Sequence, residues 1–157
     1  MHETHPKSAF IYRTSLIWER GRIGDLISAT HPENTTIRLD LGGPGKEWTP
    51  GELFVGSIEG CMVATLLSLA HKHGLAIAGW SSSASGTIEG GTHGFAFTSI
   101  AVSVRLTLYR EEDRTLAAQL LVQAHESCFL MRSLSVSVTL DYSIEMTAEL
   151  PPSSRRA

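Results

Sequence analysis

Apolar residues recur along this chain with two different periods, and each change of period marks an element. Phe10 to Leu16, Arg22 to Ser28 and Thr36 to Leu41 are short runs rich in β-branched and apolar residues, separated by Gly21, Gly24, Pro32 and Asn34. Runs of that kind between turn residues predict an N-terminal meander of strands. Gly42, Gly43, Pro44 and Gly45 then form a loop ahead of a helix start, with Thr49 as N-cap, Pro50 at the first helical position and Glu52 at the third. The helix is expected to run to Lys72 or His73 and to stop at Gly74. Two long strands follow, Ile77 to Ile88 and Phe95 to Leu108, joined through Gly90, Gly91 and Gly94 as a hairpin. In the second, Phe95, Phe97, Ser99, Ala101 and Ser103 face away from Ile100, Val102, Val104, Leu106 and Leu108. Glu111 to Glu126 reads as a second helix, its three leading acids suited to the positive end of the dipole. Val136 to Ile144 gives a last strand, and Pro151 to Ala157 reads as a frayed tail.

Strands, helix, two strands, helix and strand in that order predict an α+β fold, a mostly antiparallel sheet with helices against one face. No internal repeat or linker interrupts it, so residues 1–157 are expected to form one domain, ordered from about 10 to 146. The central helix is apolar nearly all round and reads as a long buried element. One small sheet cannot cover every side of it, which implies a second subunit.

Composition narrows the function classes. A chain of 157 residues with 42% hydrophobic and 18% charged residues builds a core without disulfide or metal staples. A net charge of −3 and a pI near 6.1 leave no large basic surface. Neither nucleic acid nor an anionic membrane is expected as the main partner, and a small-molecule substrate is the better default. The longest apolar stretch, Cys61 to Ala70, is interrupted by Thr65 and Ser68 and is short for a bilayer. Met1 to Ser8 is polar and lacks the basic-then-apolar order of a secretory signal, so a cytoplasmic location is expected. Structural disulfides are rare in that reducing compartment, and the two cysteines, Cys61 and Cys128, are either inert buried residues or a redox pair. His71 and His73 point to different helix faces, while His2, His5, His31 and His93 fall in loops or termini, so no metal is expected.

Two separated stretches bear on that choice. Thr49-Pro50-Gly51-Glu52-Leu53-Phe54-Val55-Gly56-Ser57-Ile58-Glu59-Gly60-Cys61, continuing through Met62 to Leu66, carries Pro and Glu, then Leu, small residues and a Gly-Cys pair. Ala124-His125-Glu126-Ser127-Cys128 ends the second helix before Phe129 and Val136-Ser137-Val138. Together they resemble the helix signature, the helix-terminal cysteine and the closing strand of the OsmC/Ohr family, the osmotically inducible and organic hydroperoxide resistance proteins. Phe97-Thr98-Ser99-Ile100 is a weaker echo of the strand before the second helix, and the resemblance runs from about Phe10 to Ile144.

That resemblance implies an OsmC-like interlocked homodimer whose active site draws on both chains. It implies a thiol-dependent hydroperoxide reductase of oxidative stress defence, with an organic hydroperoxide as substrate and a lipoyl-type or other small dithiol as reductant. Cys61 would attack the peroxide and Cys128 would resolve, without metal or organic cofactor. The thiolate is the nucleophile, so a cation beside it favours the reactive form. Gly21-Arg22-Ile23-Gly24 resembles the family's Gly-Arg-x-Gly turn and assigns that role to Arg22, with Arg20 the other candidate. Both arginines fit equally the description of solvated turn charges.

The sequence departs from the family in two places. The carboxylate that orients the family's arginine falls on Gly51 here, and Phe129 follows Cys128 where many members carry Pro. At about 100° per residue, Glu52 and Glu59 both project away from Cys61, and Glu52 reads as a cap partner of Thr49. His125 and Arg132 lie at helical spacings from Cys128 that suit either a lowered thiol pKa or plain structural roles. Phe54, Ile58, Met62 and Phe129 would suit an organic substrate and equally a helix core. Gly51 also motivates the alternative of a redox-sensing or binding protein with little turnover, and a dimer with inert thiols is a third reading.

Overall fold

The structure is a computed structural model that describes residues 11–29, 33, 36–42 and 45–148. The expected strand start at Phe10, the separators Pro32 and Asn34, Gly43-Pro44 and the tail beyond Ala148 lie outside the described residues. The chain divides into two compact units, Met1–Leu53 and Phe54–Ala157.

The first unit is a three-stranded antiparallel meander in the order β1 (Thr14–Arg20), β2 (Ile23–Ser28), β3 (Thr36–Asp40). The three strands are those the sequence pattern predicts, except that β1 begins and ends later than Phe10 to Leu16. The reason lies in Gly21, whose φ of 56° supplies the left-handed turn residue and lets the strand continue through Trp18 to Arg20. The Trp18 indole N–H donates to the Gly21 carbonyl at 3.1 Å, and a bulge between Trp18 and Arg20 adjusts the register. Register places Leu16, Leu26 and Ile37 in one row and Trp18, Gly24 and Leu39 in the next, so one face of this sheet is apolar. Leu16 and Trp18 are nevertheless more than half exposed.

Helix α1 (Pro50–His73) starts in the first unit and belongs to the second from Phe54 onward. Its beginning is the expected capping box. The Thr49 N–H donates to Glu52 Oε2 at 2.7 Å, and the Glu52 N–H donates to Thr49 Oγ1 at 3.2 Å. The helix ends at Gly74, whose φ of 67° is the left-handed stop that glycine adopts without cost.

The second unit holds β4 (Ile77–Gly91), β5 (Gly94–Leu108) and β6 (Val138–Met146), with β5 in the centre. A turn of 3-10 helix at Glu111–Asp113 leads into α2 (Arg114–Ser127), and the single turn α3 (Phe129–Arg132) follows Cys128. β4 and β5 form the expected hairpin, whereas β6 pairs with β5 in parallel. A parallel neighbour requires a crossover, and α2 with α3 supplies it. Three of the four strand pairings are antiparallel, so the α+β fold with a mostly antiparallel sheet stands.

The core of this unit joins alternate residues of β5, Ile100 to Leu108, with Leu120, Leu121 and Ala124 of α2 and Ile58, Met62, Leu66 and Ala70 of α1. Full burial of each such Leu or Met contributes about 1.5–3 kcal/mol. Phe97 departs from the alternation. Thr87 pairs with Ser99 but Ile88 with Phe97, so Thr98 is an extra residue that turns Phe97 onto the core face. Its ring stacks on Phe54 with centroids 4.9 Å apart, and a Cβ on Gly86 would overlap it.

Within the single chain α1 is buried along one stripe only, the i, i+4 series from Ile58 to Ala70, while Leu67 is 53% exposed. At 24 residues, with an 18-residue window of mean hydropathy 1.8, α1 is long and apolar enough to cross a membrane by length and composition. That length exceeds the Cys61–Ala70 stretch considered from sequence. Its buried stripe packs on β5 and α2 as the core helix of a globular unit does.

Candidate active site

Both cysteines lie in the second unit. Cys61 sits in the fourth turn of α1, next to Met62 of the buried stripe. Its helix face, with Ser57, Ala64, Thr65, Ser68 and Leu69, lines an open pocket of about 530 Å³ together with Phe129 and Leu130. The hydroxyls of Ser57 and Thr65 are turned to their own helix, donating to the carbonyls of Phe54 at 2.7 Å and Cys61 at 2.8 Å. The wall is therefore mainly apolar, and the half-buried Cys61 is the sulfur that opens onto it.

Cys128 approaches from the other side of the same sulfur. It lies between α2 and α3, its N–H donating to the Ala124 carbonyl at 3.0 Å as α2 ends. The residue is fully buried, and its Sγ donates to Cys61 Sγ at 2.7 Å. Both thiols are free. Burial, and then the hydrogen bond to Cys61, push the Cys128 thiol above its ordinary pKa, while the N–H groups of Met131 and Leu130 pull the other way. Neither His125 nor Arg132 acts on it. The His125 ring instead bonds the Val138 carbonyl through Nε2 at 2.9 Å, tying α2 to β6. The arrangement is thus asymmetric, with an accessible sulfur on the pocket and a buried, protonated thiol behind it. It suits attack by Cys61 followed by disulfide capture by Cys128.

Arg22 lies in the first unit, in the two-residue turn between β1 and β2. It is not a lone turn charge. Its Nε and Nη2 donate to Asp40 Oδ1 and Oδ2 at 3.1 and 3.2 Å. Arg20, the other candidate, is the last residue of β1. Asp40 escaped sequence reading, although an acid two residues before Gly42 at a strand end is a signal for a side chain bonding its own turn. Glu52 is engaged with Thr49, and Glu59 accepts from Ser82 Oγ at 2.7 Å. Among the described residues no group of three or more His, Cys, Asp or Glu could hold a metal ion.

Residues 43–143 match the family model of the OsmC-like proteins. The chain belongs to the OsmC-like family. The matched span contains both cysteines of this OsmC-like chain and begins beyond Arg22 and Asp40. Among curated proteins, an uncharacterized Bacillus subtilis (strain 168) protein, YmaD, is 23% identical over 135 residues, 83% of this chain and 90% of that one. Among solved structures, an OsmC-like protein of unknown function from Vibrio cholerae matches with TM-score 0.74 at 16% identity, over 86% of this chain and 100% of the other. An organic hydroperoxide resistance protein from Legionella pneumophila, also described as a predicted redox protein, matches with TM-score 0.66 at 19% identity, over 88% and 99%. The organic hydroperoxide resistance protein OhrB of Bacillus subtilis matches with TM-score 0.62 at 19% identity, over 85% and 98%. At such identities the structures establish a shared OsmC-like fold.

Proposed function

We propose that this OsmC-like protein is a two-cysteine, thiol-dependent hydroperoxide reductase. The observation that carries the reading is the pair of sulfurs 2.7 Å apart, one opening on an apolar pocket and the other buried. The Cys61 thiolate attacks the terminal oxygen of an organic hydroperoxide. The O–O bond breaks, the alcohol leaves with a proton, and Cys61 becomes a sulfenic acid. The Cys128 sulfur then attacks the Cys61 sulfur, its proton departing with the hydroxyl as water, and a disulfide forms. A small or lipoyl-type dithiol attacks that disulfide and closes on itself, returning both thiols. No metal or organic cofactor enters these steps.

Arg22 is the cation that holds the thiolate in this reading, a role that rests on the family resemblance. A homodimer in the cytoplasm completes the proposal. The dimer is supported by the uncovered apolar residues, among them Leu67 on α1 and Leu16 and Trp18 on the first sheet. Gly56 and Gly60 leave open space beside α1 where another backbone can approach closely. The test is steady-state consumption of an organic hydroperoxide with a dithiol in excess. Sustained turnover is expected, whereas consumption that stops at about one equivalent would leave a sensor or binding protein.

A further inference from the structure

We propose that Asp40 is the carboxylate that orients Arg22 in this chain, taking the place of an acid at position 51. The inference rests on the reading of Arg22 as the thiolate-holding cation. All the residues that decide it lie in the first unit. Position 51 is a glycine and carries no carboxylate to offer Arg22, although a Cβ there would meet nothing nearer than Thr49 Oγ1 at 4.0 Å. Glu52, one residue on, is committed to the capping box at Thr49, which holds its carboxyl below the ordinary range. Asp25 is paired with Arg38 at 3.2 Å.

Asp40 is built for the task in three ways. Its two oxygens take the Arg22 guanidinium in a two-pronged grip, which fixes the plane of the fork as well as its position. The carboxylate is itself fixed. It is 7% exposed, accepts the Gly42 N–H at 3.0 Å, and stands on backbone bonded to Trp48 at 2.9 Å. The adjacent Leu41 N–H donates to the Arg22 carbonyl at 2.6 Å, which ties the turn carrying Arg22 to the strand end carrying Asp40. The space around the pair is kept by glycines. A Cβ on Gly42 would overlap Arg22 at Nε, Cδ and Cγ, and one on Gly45 would overlap Asp40 Oδ2. A guanidinium held this way loses little further freedom when it meets an anion, so its orientation is set before the reaction.

The test reads the Cys61 thiol directly. In a Cys128→Ser background Cys61 is the sole cysteine, and the pH dependence of its alkylation by iodoacetamide gives the titration midpoint. Cys128, the described titratable group that faces Cys61 in its unit, is thereby removed, while Glu59 stays bonded to Ser82 and His125 to Val138. Asp40→Asn keeps the shape and removes the charge. It is expected to raise the midpoint by about one pH unit, as the guanidinium loses its fixed place. The sign is diagnostic, because loss of an anion acting directly on Cys61 would lower the midpoint. Arg22→Gln should raise it at least as far, and the double variant no further than Arg22→Gln alone. Gly42→Ala leaves every charge in the chain, displaces the Arg22 side chain, and should raise the midpoint too. Folded Asp40→Asn and Gly42→Ala proteins with an unmoved or lowered midpoint, beside a raised one in Arg22→Gln, overturn the role of Asp40 and leave that of Arg22. An unmoved midpoint in Arg22→Gln overturns the underlying reading instead.

Discussion

Cys61 and Cys128 are 67 positions apart, yet the Cys128 thiol donates to the Cys61 sulfur at 2.7 Å. The long α1 brings Cys61 to the pocket face, and the break between α2 and α3 turns Cys128 inward behind it. Their unequal exposure assigns unequal chemistry to two residues of the same type.

Alkylation of the reduced native protein is therefore expected to label Cys61 on the order of tenfold faster than Cys128, or more. Burial raises the pKa of Cys128, so its thiol stays protonated to higher pH than an ordinary cysteine. Alkalinisation beyond the ordinary thiol range should narrow the difference. With peroxide, Cys61→Ser should consume none, whereas Cys128→Ser should give one turnover and a sulfenic acid that a diketone reagent traps. Peptide mapping of the label reads the first result. Mutants behaving the other way round would exchange the two roles.

Gly51→Glu tests the helix start and the arginine together. The position has room, glycine is a poor helix residue, and an acid in the first turn suits the dipole. The substitution should stabilise the protein by about 0.5–1 kcal/mol, or raise Tm by roughly 1–4 °C. Arg22 already has a two-pronged carboxylate partner in Asp40, so peroxide turnover should stay within about twofold of the parent. Calorimetry and a steady-state assay check the two halves. A gain of about tenfold, equivalent to about 1.4 kcal/mol, would show that position 51 still governs the arginine.

Light scattering should give about twice the 17.0 kDa mass of the chain. Leu67 is more than half exposed on the side of α1 away from its buried stripe. Leu67→Glu is expected to move the equilibrium toward the monomer while leaving the Ile58–Ala70 stripe intact. A monomeric parent protein at micromolar concentration would contradict the dimer.

Much of this was legible in the chain itself, for reasons that differ by element. Thr49, Pro50, Glu52 and Gly74 mark both ends of α1 because capping is a local interaction, written within one turn. Ile100 to Leu108 betray a half-covered strand because side-chain alternation is local as well. The bulge at Thr98 was not legible, since it depends on the partner strand and on Phe54 across the core. The parallel pairing of β6 was hidden for the same reason, because periodicity carries no strand direction. At the site, residue type singled out both cysteines, but their mutual approach and unequal burial arise from tertiary packing. Asp40 has a local signal only for its bond to the Gly42 N–H; its pairing with Arg22, 18 residues away, lies beyond the reach of a local pattern.

The two-cysteine mechanism is tested most directly by intact-protein mass spectrometry after one equivalent of an organic hydroperoxide, with peptide mapping under non-reducing conditions. That mechanism predicts loss of two hydrogens within a single chain and a Cys61–Cys128 crosslink. Two unmodified thiols, or bridges between chains alone, would contradict it.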